Sequence, residues 1–173
     1  DFMASAYYSI DKDSAHPRAV ELIPDVFFWD DTDEIAPFGG EYGNTALNEF
    51  REWRNKNKKK SIVKFIKVAI EDIGEIEFKD YTVKLLDQRV IGNLLTDEDY
   101  DADQLFDGLD TSIIAIGFSQ LIDEGKIDQD AKRFIRIAIE RQLIGNSLGL
   151  YDEDLSRDYI GYLKRLKVVL EEA

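Results

Sequence analysis

Cysteine is absent and histidine occurs once, at position 16. Without thiols there is no disulfide, no thiolate zinc site and no cysteine nucleophile, and one imidazole cannot build a His-based triad or a multi-histidine metal site. Positive charge is also scarce: 22 Lys plus Arg face 36 Asp plus Glu, a formal net charge of −14. Such a field repels phosphate backbones and anionic headgroups, so neither nucleic acid nor membrane is an expected partner. No apolar run approaches the roughly 18 residues of a membrane span, and no basic-then-apolar leader is present, which reads as a cytoplasmic protein. Met3 reads as a natural start, with Asp1 and Phe2 a cloning remnant. These exclusions leave no pattern that calls for a cofactor.

What is present suits one folded domain. In 173 residues, 44% hydrophobic and 12% aromatic residues can form a core, and chains of this length seldom divide. Residues 5–11 fit a short strand or an ordered arm. Pro17 suits a first helical position and Pro24 a stop, bracketing a short helix at 17–23. Residues 25–43 lack any period: Val26-Phe27-Phe28-Trp29 is apolar, residues 30–34 are acidic, and Pro37-Phe38-Gly39-Gly40 forms turns, so a long loop with aromatic anchors is expected. Asn44 suits an N-cap for a helix at 45–55 carrying Leu47, Phe50 and Trp53 on one side. Ser61 suits the next cap, before Ile62, Phe65, Ile66, Ala69, Ile70 and Ile73. The stripe Val83, Leu86, Val90 and Leu94 predicts a helix within 80–95.

Residues 110–173 are the clearest. Asp110 or Thr111 suits the cap of a helix bearing Ile113, Ile114, Gly117, Phe118, Leu121 and Ile122, and Gly125 stands at the expected C′ position. Asp128 opens a second helix with Ala131, Phe134, Ile135, Ala138, Ile139 and Leu143; the short connection predicts an antiparallel hairpin. A last helix from about Asp152 carries Leu155, Tyr159, Tyr162, Leu163, Leu166 and Val169. The expected fold is an all-α, irregular single-domain bundle of five to six helices.

Several motifs could carry chemistry. Glycines at 39, 40 and 43 precede a helix, as in phosphate cradles, but the spacing matches neither phosphate fingerprint and Glu41 would repel an anion. A tight glycine turn is the simpler reading. Asp30, Asp31, Asp33, Glu34 and Glu41 could converge on a hard cation, which needs only oxygen ligands; otherwise they are solvated or pair with Arg51 and Arg54. The tract at 97–103 alternates acids like a calcium loop. It fails at Ala102 and Gly108, where that loop needs Gly and Glu, and reads as a solvated connector or a docking surface for a basic partner. The basic run Arg51, Arg54, Lys56, Lys58, Lys59, Lys60, Lys64 and Lys67 lacks interleaved exposed aromatics and reads as a solvated connection facing acidic surface. His16 suits a cap, and Asp110-Thr111-Ser112 a capping sequence.

The spacing of Phe27-Phe28-Trp29, Glu34, Ala36-Pro37-Phe38-Gly39, Gly43, Ala46-Leu47 and Phe50-Arg51-Glu52-Trp53-Arg54 resembles the N-terminal motif of the YfeS-like family of bacterial proteins. The resemblance covers residues 27–54. It implies a bacterial cytosolic origin and directs attention to Trp29, Pro37, Phe38, Gly39, Gly43, Arg51, Trp53 and Arg54, without implying an activity.

The functional expectation is a non-enzymatic, acidic protein-interaction module. Residues 97–173 carry 18 acidic and 9 basic residues, against −5 for residues 1–96, which favours encounter with a basic partner of the kind immunity proteins neutralise, or else self-association. The alternative is a small enzyme or sensor holding a divalent cation on Asp30, Asp33, Glu34 and Glu41.

Overall fold

Between Ser112 and Ile122 the chain is apolar around almost the whole helical circumference, and such a helix is stable only when surrounded. The computed structural model describes residues 10–97 and 103–173, excepting the side chains of 103–106. Among the described residues there are seven α-helices: α1 (Pro17–Leu22), α2 (Glu41–Lys56), α3 (Val63–Asp72), α4 (Gln88–Thr96), α5 (Thr111–Glu124), α6 (Lys132–Ser147) and α7 (Glu153–Glu172). Every residue of α5 from Ser112 to Ile122 is buried. Helix α2 packs along α5, α6 packs against α5, and α7 packs on α6. No strand occurs among the described residues, so the fold is the all-α bundle that the periodicity predicts. No helix among them is long and apolar enough to cross a membrane. Residues 5–9 of the arm or strand expected at 5–11, and most of the acidic tract at 97–103, lie outside the described residues; residues 10 and 11 form no strand.

The caps follow elementary hydrogen bonding. His16 Nδ1 accepts from the Arg18 amide at 3.1 Å, and Asp152 Oδ1 from the Leu155 amide at 2.9 Å. Gly125 ends α5 with φ 76°, the left-handed conformation that glycine adopts without Cβ strain. The Arg18 guanidinium closes two helix ends together, donating to Gly125 O at 2.8 Å and Glu172 O at 2.7 Å.

Other boundaries differ from expectation. Helix α2 begins at Glu41, with Gly40 as N-cap and Asn44 already inside its first turn. The segment 80–95 is not one helix: 3₁₀ turns at Phe78–Asp80 and Val83–Leu86 precede α4. Its stripe is also displaced, since Val83 and Val90 are exposed and Ile91 is the buried residue. Asp128 does not cap α6; its carboxylate accepts from the Ile62 amide at 3.0 Å, tying α3 to the hairpin turn. Leu155, expected to face inward, is exposed. A π-helical turn at Asp103–Asp110 leads directly into α5, so Asp110 continues the helix and makes no side-chain cap.

The loop before α2 is held by packing. It holds a 3₁₀ turn, Val26–Trp29, whose Phe28 is buried edge-on against Phe38 (5.6 Å) and Phe118 (5.8 Å). Trp29 donates to Ile23 O at 2.8 Å. Phe27 stacks on Tyr162 at 4.1 Å, while Tyr162 donates to Asp33 at 2.7 Å and Arg165 pairs with Asp25 at 3.0 Å, so α7 fastens the loop by three contacts. The glycines at 39 and 43 allow the chain to cross itself: a Cβ at Gly39 would lie 1.9 Å from Asp33 O, and one at Gly43 would lie 1.8 Å from Pro37 O.

Replacing a helical glycine by alanine ordinarily stabilises by about 1 kcal/mol. At Gly43 the sign should reverse, because the obstacle is backbone and overpacking of this kind costs about 1–3 kcal/mol. At Gly161 of α7 nothing lies within 4 Å of the added carbon. Thermal denaturation should therefore show Gly43→Ala melting below the wild type and Gly161→Ala at or above it. A Gly43→Ala protein that melts higher would show that the loop yields.

Candidate functional site

The acidic loop divides its carboxylates between two tasks. Asp30 accepts from the Thr32 hydroxyl (2.7 Å) and amide (2.9 Å), which hold it below the ordinary carboxylate range. Asp33 accepts from the Ile35 amide at 3.2 Å and from Tyr162, whose hydroxyl is thereby pushed up to about 12. Both are occupied in the loop's own turns and its attachment to α7. Glu34 and Glu41 instead face solvent at the mouth of a cleft. The expected convergence on a cation is therefore not formed: among the described residues no three acidic or histidine side chains are placed to hold a metal ion.

Arg51 and Arg54 do not pair with the loop acids either. Arg51 grips Asp123 through Nε and Nη2, both at 2.9 Å, and Arg54 grips Glu124 through Nε at 2.7 Å. Arg54 also donates to Asn57 O and Lys60 O, clipping the turn that carries the basic run. Its guanidinium lies 5.3 Å from the ring of Trp53, which leans on Phe50 and Phe65. Arg51, Trp53 and Arg54 thus join α2 to the end of α5 and to α3, and lie away from the cleft. Lys58, Lys59 and Lys60 share a shallow surface with Glu124, Asp128 and Asp130, the internal acidic surface expected to face them.

The cleft, of about 490 Å³, lies between the 34–42 segment and the faces of α5 and α7. Its floor is apolar, formed by Ile35, Ala36, Pro37, Ile114, Leu163 and Leu166, and its polar groups are Glu34, Glu41, Asp107, Thr111 and the tyrosines 42, 151 and 159. None of its described lining residues is Lys, Arg or His. Tyr151 donates to Asp107 and meets Tyr159 edge-on at 6.0 Å. Burial, then the nearby Asp110 and Asp107 charges, raise Tyr159 well above its ordinary value, so it remains a neutral hydroxyl. Comparison with protein-family models, curated proteins and solved structures found no match.

Behind the cleft lies a buried polar cluster that the periodicity obscures. Arg141 and Asp110 are both 0% exposed and meet through Nε and Oδ2 at 3.0 Å. Tyr81, fully buried, donates to Asp110 Oδ1 at 2.7 Å, and Arg141 Nη1 donates to Leu85 O at 2.7 Å. Gln142 reaches Asp110 at 3.4 Å, and its carbonyl accepts from Tyr159 at 3.3 Å, a weak link to the cleft wall. The local sequence suits Asp110 or Thr111 as a cap; the Asp110 carboxylate instead turns inward along the core stripe of α5. The signal in the sequence was charge at core spacing: Asp110 lies three and four residues before Ile113 and Ile114, and Arg141 three after Ala138.

Burial pushes Asp110 up from 3.8 to about 6, against the opposing pull of Arg141 and of its hydrogen bonds. The folded protein then holds a proton at pH values where the unfolded chain has lost it, so stability from this group is full below about pH 4 and lost as pH rises to about 6. A rise of about two pH units corresponds to about 3 kcal/mol. Urea denaturation should show the wild-type minus Asp110→Asn stability difference declining by about that amount across this window and flat above it; a pH-independent difference would show that Asp110 titrates normally. Arg141→Met should cost about 3–5 kcal/mol, because it strands a buried carboxylate, and adding Asp110→Asn should recover part of the loss.

Proposed function

We propose that the protein is a non-catalytic interaction module of the bacterial cytoplasm that recognises a basic protein partner through the cleft at Glu34, Glu41 and Tyr42. The observation that carries this reading is the composition of the cleft: carboxylates at the mouth, tyrosines on the wall, an aliphatic floor and no basic group among the described lining residues. An arginine or lysine suits such a place, since its methylene stem lies on apolar surface while its head meets carboxylates and aromatic faces. The net charge of −14 adds long-range attraction for a positive partner. A non-catalytic role is supported by the chemistry of the wall, which offers a neutral tyrosine and carboxylates but no imidazole or thiol. The divalent-cation alternative has less support, because Asp30 and Asp33 are engaged elsewhere. The resemblance of residues 27–54 to the YfeS-like motif is compatible with this reading, since Phe28, Trp29, Phe38 and the two glycines shape the loop that forms one cleft wall.

Immobilised wild type and a Glu34→Gln/Glu41→Gln variant, exposed to native bacterial lysate at low and at physiological salt, test the reading. The wild type should retain a basic protein, less strongly at the higher salt. The variant should bind up to about thirtyfold more weakly, because two exposed ion pairs are worth up to about 1 kcal/mol each. Recovery of no basic partner at either salt, or equal retention by the variant, would overturn it.

A further inference from the structure

A second depression adjoins the cleft. It is an apolar groove of about 220 Å³ between α2 and α3, with Phe65, Ala69, Ile73 and Ile116 in its lining. Tyr42, 40% exposed, lines both the cleft and the groove and so forms their shared wall. Beside the groove Val68 stands 44% exposed on α3. The groove is too small for a typical organic ligand of the 300–1,000 Å³ class and of a size to take one aliphatic side chain.

Charge indicates what covers it. Glu49 and Asp72 stand at the groove as Glu34 and Glu41 stand at the cleft, and all four are exposed. No hydrogen bond or ion pair from the described residues engages any of these four carboxylates. By contrast Asp25, Asp33, Asp123 and Glu124 are all taken by internal donors. None of the described residues lining the groove is basic. An apolar floor flanked by two exposed carboxylates that no described residue neutralises, Glu49 and Asp72, matches a segment that is both cationic and apolar, and mismatches an acidic or purely aliphatic one.

We propose that the partner's contact segment presents two neighbouring side chains across Tyr42, an arginine or lysine in the cleft and a leucine-like side chain in the groove. This rests on the reading of the cleft as a basic-partner site and adds the apolar half of its specificity. Carboxylates at both depressions attract the positive side chains of such a segment, and the aliphatic anchor distinguishes the true partner from any polycation that the acidic surface attracts.

Three acetylated, amidated hexapeptides test it by titration of the ¹⁵N-labelled full chain at physiological salt: one with Arg and Leu separated by a single Ala, one with the Leu replaced by Ser, and one with the Arg replaced by Gln. The first should move the amides of both Gly40–Tyr42 and Val68–Asp72 and bind at least fivefold more tightly than either of the others. Val68→Lys, a change at an exposed helical position, should erase the leucine advantage and leave the arginine-dependent shifts at Gly40–Tyr42. Arginine-dependent binding with no gain from leucine and no response at Val68–Asp72 would overturn the two-site inference while leaving the basic-partner reading intact. Absence of arginine-dependent binding would overturn both. Concentration-dependent shifts at Val68–Asp72 without peptide would identify a second copy of the chain as the groove's occupant, and would also overturn it.

Discussion

The burial of one ion pair constrains the centre of this molecule. Asp110 and Arg141 are fully enclosed, and a lone charge in their place would be strongly destabilising. Each therefore requires the other, and through their remaining hydrogen bonds they require Tyr81 and the carbonyl of Leu85. The pair consequently does more than join α5 to α6. It draws the irregular stretch of 3₁₀ turns onto the two helices and sets the register at which the π-helical turn enters α5. The backbone that carries Asp107 and Thr111 into the cleft is the same backbone that places Asp110 inside.

A second constraint shapes the opposite cleft wall. The 25–40 segment has too little regular structure to satisfy itself, and it is ordered by attachments to α7: a stacked tyrosine, a carboxylate–phenol bond and an arginine–aspartate pair. Two glycines then let the chain pass over its own carbonyls before α2 begins. A loop fastened at so many points is a rigid edge. That rigidity matters for recognition, because a preorganised wall loses little conformational freedom when a partner's side chain enters.

The acidic residues divide by role. Those that meet an internal arginine or backbone amide, such as Asp123, Glu124 and Asp128, bind one element to the next. Of the exposed carboxylates that no described residue engages, Glu34, Glu41, Glu49 and Asp72 stand where the surface is concave and apolar beneath; others, Asp31 and Glu71 among them, are spread over the remaining surface. Net charge alone would attract polycations without discrimination; concavity beside that charge is what can select among them. The proposed partner chemistry follows from this coincidence rather than from the magnitude of the charge.

Much of the bundle is legible in the sequence. The stripes of α2, α3, α5, α6 and α7, the glycine after α5, the cap at His16, the start of α7 near Asp152 and the aromatic anchoring of the loop all follow from local spacing, because helix periodicity and turn chemistry act over a few residues. The site was only half legible. Glu34 and Glu41 stood among the candidates, but Asp107, Thr111, Tyr151 and Tyr159 come from segments far apart in the chain, and no short-range pattern brings them together. The sequence leaves the partners of Arg51 and Arg54 open for the same reason: the nearby loop acids and more distant acidic surface both suit them, and helix packing delivers the end of α5. Asp110 is the sharpest instance. Its local context reads as a cap, and only the approach of α6, carrying Arg141 at a core position, makes it a buried ion. Local chemistry determined which segments coil and where they stop, while long-range packing decided which charges are enclosed, which are neutralised and which are left facing water.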